Sequence, residues 1–215
     1  MKVKAPVLAV AAGALLAITA VAAAAVVNGT AGNDTLTGTP RADLVRAFAG
    51  DDSIDAKEGR DVVRSGKGND TADGGDGNDL VFGGLGDDTV SGGNGNDRVH
   101  GGSDDDSVSG GEGNDRAGGG KGTDVVNGDG GNDSLFGGWG DDKVYGGAGN
   151  DRLHALAADR LPDLLDCGDG EDVAFVRFSE KATTTVVGCE RVKFVRVLTA
   201  DQNAGENGDT DAQAE

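Results

Sequence analysis

Residues 74–82 read Gly-Gly-Asp-Gly-Asn-Asp-Leu-Val-Phe, and residues 83–91 read Gly-Gly-Leu-Gly-Asp-Asp-Thr-Val-Ser. Both stretches follow the pattern Gly-Gly-x-Gly-x-Asp-x-apolar-x. Extended in both directions, this nine-residue pattern runs from Gly29 to His154 in fourteen consecutive copies without an insertion or a deletion. Such a fixed period indicates a solenoid, in which each repeat buries its apolar face only against neighbouring repeats.

Two positions of the repeat carry the same type of residue in all fourteen copies. Position eight is always a small or medium apolar residue, such as Val81 or Val90. Position six is aspartate in every copy, and these residues are Asp34, Asp43, Asp52, Asp61, Asp70, Asp79, Asp88, Asp97, Asp106, Asp115, Asp124, Asp133, Asp142 and Asp151.

The repeat divides into a short strand and a tight loop. Positions seven to nine alternate polar, apolar and polar residues, which predicts a three-residue strand with its middle side chain turned inward. Positions one to six combine an acidic end with glycines that can adopt positive φ, so the backbone can curl and aim its carbonyl oxygens at one point. Carbonyl and carboxylate oxygens together suit Ca²⁺, which takes 6–8 oxygen ligands.

These nonapeptides resemble the calcium-binding repeats of the repeats-in-toxin (RTX) family. The resemblance implies an all-β fold, a parallel β-roll solenoid of about seven turns with two nonapeptides in each turn. It also implies that Ca²⁺ lies between the loops of repeats i and i+2, held by backbone carbonyls and by the position-six aspartates of both loops. Counting such pairs gives at most about 12 ions.

The metal ligands that the resemblance implies are Asp52, Asp70, Gly75, Gly77, Asp79, Gly84, Gly86, Asp88, Gly93, Gly95, Asp97, Asp106, Gly111, Gly113, Asp115, Gly120, Gly122, Asp124, Gly131, Asp133, Gly138, Gly140, Asp142, Gly147, Gly149 and Asp151. Early repeats depart from the pattern, for example where Arg41 replaces a glycine. We therefore expect weak or empty sites before about Asp70 and well-formed sites from Asp79 onward. Asp106 is the exception because Asp104 replaces its loop glycine.

The composition suggests that the metal is needed for folding. The chain has 40 glycines among 215 residues, 4% aromatic residues and a net charge of −19. Small apolar side chains give a thin core, and stacked carboxylates repel one another. We hypothesise that the roll is largely disordered without Ca²⁺ and folds as the ions bind. So acidic a chain is not expected to bind nucleic acid.

The N-terminal residues 1–25 are predicted to be a secretory signal peptide. Lys2 and Lys4 precede an uncharged apolar stretch, and alanines at 22–25 offer a cleavage site. The alternative is an uncleaved membrane anchor, since about 20 apolar residues can span a bilayer. We favour the signal peptide because the segment is mostly alanine and only weakly hydrophobic. Either interpretation places residues 26–154, the predicted roll, outside the cytoplasm as a secreted or extracellular module.

Sorting the outward positions by repeat parity predicts two different faces. Odd repeats expose mostly hydroxyl and acidic side chains, whereas even repeats expose most of the arginine and aromatic side chains, including Arg98, Arg116 and Phe136. Favourable cross-strand pairing on a plain face accounts for this distribution. A docking face for a cell-surface, glycan or protein partner is the alternative.

The repeat phase is lost after His154. Residues 155–199 are predicted to form a C-terminal β cap with a short helix near Ala155–Arg160, stopped by Pro162. Cys167 and Cys189 are the chain's two cysteines, and in a secreted protein they are expected to form a disulfide. Residues 200–215 are acidic and lack periodicity, so we expect a disordered tail.

The sequence lacks recognisable catalytic motifs. It contains no His-Glu-x-x-His, Gly-x-Ser-x-Gly or phosphate-loop motif, and His100 and His154 both fall on outward repeat positions. We therefore expect a non-enzymatic calcium-binding module with a structural, adhesive or calcium-sequestering role. The alternative is the calcium-dependent folding and secretion module of an exported enzyme or toxin. An ice-binding role is disfavoured because the outward side chains do not form regular threonine arrays.

Overall fold

The computed structural model describes residues 7–9, 24–157 and 159–196. Within them the chain forms parallel strands and one 3₁₀ helix at Phe178–Glu180. The strands are β1 Val7–Ala9, β2 Val26–Asn28, β3 Thr35–Thr37, β4 Leu44–Ala49, β5 Ser53–Asp55, β6 Glu58–Gly59, β7 Val62–Lys67, β8 Thr71–Gly77, β9 Leu80–Leu85, β10 Thr89–Asn94, β11 Arg98–Ser103, β12 Ser107–Glu112, β13 Arg116–Lys121, β14 Val125–Gly130, β15 Ser134–Trp139, β16 Lys143–Tyr145, β17 Arg152–Ala155, β18 Leu164–Asp166, β19 Val173–Arg177, β20 Thr185–Val187 and β21 Arg191–Val195.

The strands alternate between two parallel sheets, as a β-roll requires. Sheet A has the order β1-β2-β4-β7-β9-β11-β13-β15-β17-β19-β21, and sheet B has the order β20-β18-β16-β14-β12-β10-β8-β5-β3, with β6 pairing β8. Thr89 of β10 pairs with Ser107 of β12, two nonapeptides further along the chain. The predicted parallel β-roll with two nonapeptides per turn is confirmed.

The solenoid has about nine turns, so the prediction of about seven was too small. Val26–Asn28 already pairs with β4 before the first complete repeat. At the other end, β18 to β21 continue both sheets in parallel register. The predicted C-terminal β cap is therefore an extension of the roll, although its sequence has left the nine-residue period.

Most strands inside the repeats are six residues long, twice the predicted length. β10 and β12 pair through positions seven to nine and again through the next glycines in the chain, Gly93 with Gly111. The glycines were expected to form only loop, but without a Cβ they can also approach the next turn closely enough to continue the ladder.

The core is a narrow column of small side chains between the two sheets. Position eight supplies most of it, and where position one is alanine, as at Ala47 and Ala56, that side chain is also buried. The fully buried larger residues are Leu36, Leu135, Leu153, Leu165, Val45, Val63, Val81, Val90, Val108, Val126 and Val144. A column this thin provides limited hydrophobic stabilisation for each turn.

The short helix expected near Ala155–Arg160 is not present in the described residues of that stretch. Ala155 instead ends strand β17 and pairs with Val176 of β19, and its side chain is buried. Parallel pairing of the next turn with β17 outweighs the local helical preference of this segment. The predicted disulfide between Cys167 and Cys189 is present, with a Cα–Cα distance of 5.1 Å.

Most of the predicted signal peptide lies outside the described residues, as does the predicted acidic tail. The described part of the N-terminal segment, Val7–Ala9, is a strand that pairs in parallel with Val26–Asn28. Among the described residues, no helix is both long and apolar enough to cross a bilayer.

Candidate metal centre

The position-six aspartates form two buried columns, one along each loop edge of the roll. From Asp34 to Asp133, the backbone N–H of each aspartate donates to Oδ1 of the aspartate two repeats later, for example Asp79 to Asp97 at 2.7 Å and Asp88 to Asp106 at 2.9 Å. All fourteen are buried although they are charged residues. The strand register therefore brings together aspartates that are eighteen residues apart in the sequence.

The second carboxylate oxygen of most of these aspartates has no hydrogen-bond partner. Buried side chains with unpaired oxygens are costly, so a repeated set of them requires an explanation. Among the described residues, buried Oδ2 atoms without a partner belong to Asp52, Asp61, Asp70, Asp79, Asp88, Asp97, Asp106, Asp115, Asp124, Asp133, Asp142, Asp151 and Asp172.

From Asp79 to Asp151, each of these oxygens lies against the position-one glycine of its own repeat, where a Cβ would collide with it. A Cβ added to Gly92 would lie 2.6 Å from Oδ2 of Asp97 and 2.5 Å from the carbonyl oxygen of Gly110. The same test at Gly74 gives 2.9 Å to Asp79 Oδ2 and 2.5 Å to the Gly92 carbonyl oxygen. Glycine at position one thus keeps carboxylate and carbonyl oxygens close together at one point.

Glycines at positions two and four hold the loop in its left-handed conformation. The φ angle is 102° at Gly93 and 139° at Gly95, a region that residues with a Cβ rarely adopt. All the glycines predicted as ligand-bearing have positive φ: Gly75, Gly77, Gly84, Gly86, Gly93, Gly95, Gly111, Gly113, Gly120, Gly122, Gly131, Gly138, Gly140, Gly147 and Gly149. The structure therefore gathers the predicted aspartates and glycines in the same turns.

Because these carboxylates are buried, their charged form is unfavourable unless a cation lies beside them. Burial raises the pKa of Asp61, Asp70 and Asp106 to about 7, although a backbone N–H donated to each lowers it in part. Neighbouring aspartates of the same column raise these pKa values further. A divalent cation would offset both the burial and the mutual repulsion.

The donor set fits Ca²⁺. The described residues contain no group of three or more His, Cys, Asp or Glu side chains placed to hold a metal. Loop carbonyl oxygens lie next to the aspartate carboxylates, as the Gly110 carbonyl and Asp97 Oδ2 do at Gly92. A ligand shell built from oxygen alone, with many carbonyls, suits a hard cation that accepts 6–8 ligands.

A family model of the RTX calcium-binding nonapeptide repeat matches the chain in four copies, over residues 28–63, 57–90, 82–117 and 118–153. Together the matches run from residue 28 to residue 153 without a gap, more than half of the 215 residues. The chain belongs to the RTX family. Its repeats are calcium-binding repeats, and the buried aspartate columns lie in the repeat turns. A search of curated proteins finds no match.

The first two RTX repeats satisfy their aspartates without a metal. Thr30 occupies position two of repeat one, and its hydroxyl donates to Asp34 Oδ2 at 3.0 Å. Thr39 does the same for Asp43 Oδ2 at 3.0 Å in repeat two. In both repeats the threonine backbone N–H also donates to that oxygen. In these two repeats a threonine therefore satisfies the oxygen that has no hydrogen-bond partner in later repeats.

Several repeats that depart from the pattern keep the geometry of the RTX turn. Asp52 and Asp61 lie before Asp70, yet each has a buried Oδ2 without a partner. Asp106 donates to Asp124 Oδ1 at 2.9 Å like its neighbours, and Asp104 adopts a φ of 79° in place of the missing glycine. The turns of these repeats have the same geometry as the others. That they bind calcium weakly stays a prediction about affinity.

The sequence predicts Asp172 as the sixth-position aspartate of one more, imperfect loop, but it does not predict the ladder at position five or the places of Asp163 and Glu190 in the columns. Position five forms its own ladder, in which a backbone N–H donates to Oδ1 of Asn or Asp two repeats earlier, as from Asn114 to Asn96 at 2.8 Å. The aspartate columns also extend beyond the repeats, because Asp142 donates to Asp163 at 3.2 Å and Asp172 donates to Glu190 at 2.6 Å. The frequent Asn or Asp at position five was visible in the sequence, whereas Asp163 and Glu190 lie outside the period.

Proposed function

We propose that this chain is a secreted, non-enzymatic RTX module that folds as Ca²⁺ binds between its stacked turns and then serves a structural, adhesive or calcium-sequestering role. The observation that carries the proposal is the repeated buried aspartate oxygen without a hydrogen-bond partner. A fold that leaves so many charged atoms unpaired is stable only when something else compensates them.

The thin core supports folding coupled to metal binding. Each turn buries only small or medium apolar side chains, with no aromatic residue among the fully buried ones of the described chain. Ordering so many glycines carries a high conformational entropy cost. Metal binding therefore has to contribute a large part of the folding free energy.

An extracellular location agrees with two features. The disulfide between Cys167 and Cys189 is of a kind that persists in oxidising compartments. Free Ca²⁺ is plentiful outside cells, where sites of modest affinity fill. The basic and apolar N-terminal segment is consistent with export, and protein sequencing of the secreted chain would test cleavage near residue 25.

The surroundings of the histidines support a non-enzymatic role. His154 lies between the rings of Phe136 and Phe175, with centroid distances of 4.4 and 4.7 Å. Burial, aided by Arg116 and Arg152, lowers the pKa of His154 to about 4. A histidine that stays neutral at physiological pH and is stacked between two rings is suited to packing more than to proton transfer.

The face of sheet A is the proposed site for a cell-surface, glycan or protein partner. None of the eleven strands of this sheet contains aspartate or glutamate, although the chain has 38 acidic residues. The acidic strand residues all lie in sheet B, as at Asp55, Asp73 and Glu112. This separation of charge favours an acidic partner on sheet A.

A calorimetric calcium titration with parallel circular dichroism tests the proposal. We expect strand content to rise with calcium in a cooperative step, while Mg²⁺ at the same concentration has little effect because its geometry is stricter. A spectrum already rich in strand under excess EDTA would contradict coupled folding. Assays of proteolysis, esterase activity and liposome leakage address the alternative, and robust activity abolished by one substitution would favour an enzyme or toxin module.

A further inference from the structure

Basic side chains are concentrated on sheet A. Ten of the chain's 19 lysines and arginines lie in its strands, whereas the described strands of sheet B contain one, Lys143. The ten are Arg46, Arg64, Lys67, Arg98, Arg116, Lys121, Arg152, Arg177, Arg191 and Lys193. Because the strands of sheet A contain no acidic residue, this positive charge is not balanced within the sheet.

Four of these arginines form an exposed row along the axis of the roll. The register of β11, β13, β15, β17, β19 and β21 places them at equivalent positions of their strands, at Arg98, Arg116, Arg152 and Arg191. All four side chains are exposed. Neighbouring strands are about 4.8 Å apart, so this arginine row extends about 24 Å from β11 to β21.

Aromatic rings orient two cations of this face without neutralising them. The guanidinium carbon of Arg116 lies 4.1 Å from the centre of the Phe136 ring, and the ammonium nitrogen of Lys193 lies 5.4 Å from that of Phe175. Both rings stack on His154. Such contacts leave N–H groups free to donate to a carboxylate. Among the described residues, no arginine of the row forms an ion pair with an acidic side chain.

The segment that follows sheet A in the sequence has the opposite charge. Nineteen residues, 197–215, come after Arg196, the last described residue. Residues 201–215, the acidic tail, contain no lysine or arginine and have five acidic residues, Asp201, Glu206, Asp209, Asp211 and Glu215. Fully extended, nineteen residues span roughly 60 Å. The acidic tail is therefore long enough to reach from β21, at the edge of sheet A, along the whole arginine row.

We propose that the acidic tail docks on the arginine row of sheet A, so that an acidic partner has to displace it. The displacement rests on the proposed role of sheet A as a docking face. Attachment to β21 gives the tail an effective concentration in the millimolar range. A second copy of the chain would have to come from solution with its own net charge of −19, which opposes association.

Energy transfer within the calcium-loaded full chain tests the contact. Trp139 is the chain's one tryptophan, and it lies exposed at the end of β15 in sheet A. A dansyl group attached at Ala212→Cys serves as the acceptor. We expect strong transfer at about 0.01 M salt and a loss at about 1 M salt, because the Debye length falls from about 30 Å to about 3 Å. Transfer that ignores salt would overturn the proposal. Transfer that rises with protein concentration would also overturn it, by assigning the row to the tail of another copy.

Neutral variants of the acidic tail test the charge. Replacing its three aspartates with asparagine and its two glutamates with glutamine should reduce the low-salt transfer to the high-salt value. The matched control makes the same five changes in sheet B and should keep the transfer of the parent chain: Asp55→Asn, Glu58→Gln, Asp73→Asn, Asp76→Asn and Glu112→Gln. Equal losses in the two variants would contradict docking through the tail.

Arginine variants test the position of the contact. Combining Arg98→Gln, Arg116→Gln and Arg152→Gln should lower the transfer as much as the neutral tail does. The control removes the same charge from exposed positions outside the strands and should leave the transfer unchanged: Arg41→Gln, Arg60→Gln and Arg160→Gln. A loss of transfer only in this control would place the tail elsewhere on the roll and overturn the proposal.

Poly-L-glutamate, used as an acidic partner, separates this proposal from the proposed role of sheet A. We expect the neutral-tail chain to bind it about tenfold more tightly than the parent chain, because the row is no longer occupied. Equal binding by the two chains would overturn the displacement and leave the docking face supported. No binding by the neutral-tail chain would overturn the docking role of sheet A, and the displacement with it, whatever the transfer shows.

Discussion

At the scale of single residues, the repeats differ in whether the second carboxylate oxygen of the position-six aspartate has a hydrogen-bond partner. From Asp43 onward, Oδ1 of each position-six aspartate accepts a backbone N–H, whereas the partner of Oδ2 differs between repeats with threonine and repeats with glycine at position two. With threonine there, as in the first two repeats, a hydroxyl and an N–H satisfy Oδ2. With glycine there, as before Asp97, Oδ2 stays buried without a partner.

Replacing Thr30 with glycine should therefore create a calcium site. The substitution gives repeat one the loop sequence Gly-Gly-Ala-Gly-Asn-Asp, which matches the family pattern, and removes the hydroxyl that donates to Asp34 Oδ2. We expect calorimetry to detect about one additional bound ion. Thr37→Gly, at an outward strand position of the same repeat, is the matched control. An unchanged stoichiometry in Thr30→Gly would show that the hydroxyl does not replace a cation.

Asp97→Asn should remove calcium binding at its turn. The amide oxygen can still accept the N–H of Asp79, but the charged Oδ2 is lost. We expect about one or two fewer bound ions and a lower melting temperature in calcium. Asp87→Asn makes the same change of charge at position five, where the side chain only accepts the N–H of Asp105 through Oδ1. Equal effects of the two substitutions would argue for a general charge effect instead of a ligand.

At the scale of elements, parallel pairing overrides local preference. Ala155 belongs to a segment with helical character, yet it continues β17 because β19 offers a complete ladder on its other side. The same pairing extends the strands through the glycines. Among the described residues, no further strand pairs with the outer side of the last turn. The disulfide between Cys167 and Cys189 links this turn to the one before it.

Removing that disulfide should loosen the C-terminal turns first. The bridge closes a loop with a sequence separation of 22, which corresponds to roughly 3 kcal/mol of stabilisation. We expect Cys167→Ser with Cys189→Ser to lower the melting temperature of the calcium-loaded chain and to increase hydrogen exchange in β20 and β21. Treating the parent chain with a reductant should reproduce the effect. Exchange that rises equally along the whole roll would contradict local fastening.

At the scale of the whole molecule, the roll separates its charges. The aspartate columns follow both loop edges, the acidic strand residues lie in sheet B, and sheet A has no acidic strand residue. Along the columns, burial raises the aspartate pKa values, in several cases to between about 6 and about 7. The stability of the metal-free roll therefore depends on pH.

Low pH should stabilise the folded state of the metal-free chain relative to its unfolded state. The ordinary aspartate pKa is 3.8, and in the folded columns burial raises the pKa of Asp70 and Asp142 to about 7. Between about pH 4 and pH 7 the folded chain therefore binds more protons than the unfolded chain. Stability without metal thus falls as pH rises through this window. We expect the EDTA-treated chain to show more strand by circular dichroism at pH 5 than at pH 8.

Replacing Asp61, Asp70 and Asp106 together with asparagine should reduce this pH response, because these carboxyls would no longer titrate. Calcium should also bind more weakly at pH 5 than at pH 8, since protons compete for the same oxygens. A metal-free spectrum that gains strand as pH rises would show that the aspartates do not control folding.

The sequence by itself determined the repeating unit, the parallel two-sheet roll and the aspartates and glycines of the metal turns. The strict nine-residue period predicts a solenoid of identical units, and the resemblance of that unit to RTX repeats implies the parallel roll and the ligands of its turns. The tertiary structure decided the features that arise from stacking across eighteen residues: the number of turns, the strand through the glycines and the threonine that satisfies Asp34. These features depend on the distances between atoms of neighbouring turns, and a repeat pattern in the sequence does not contain those distances.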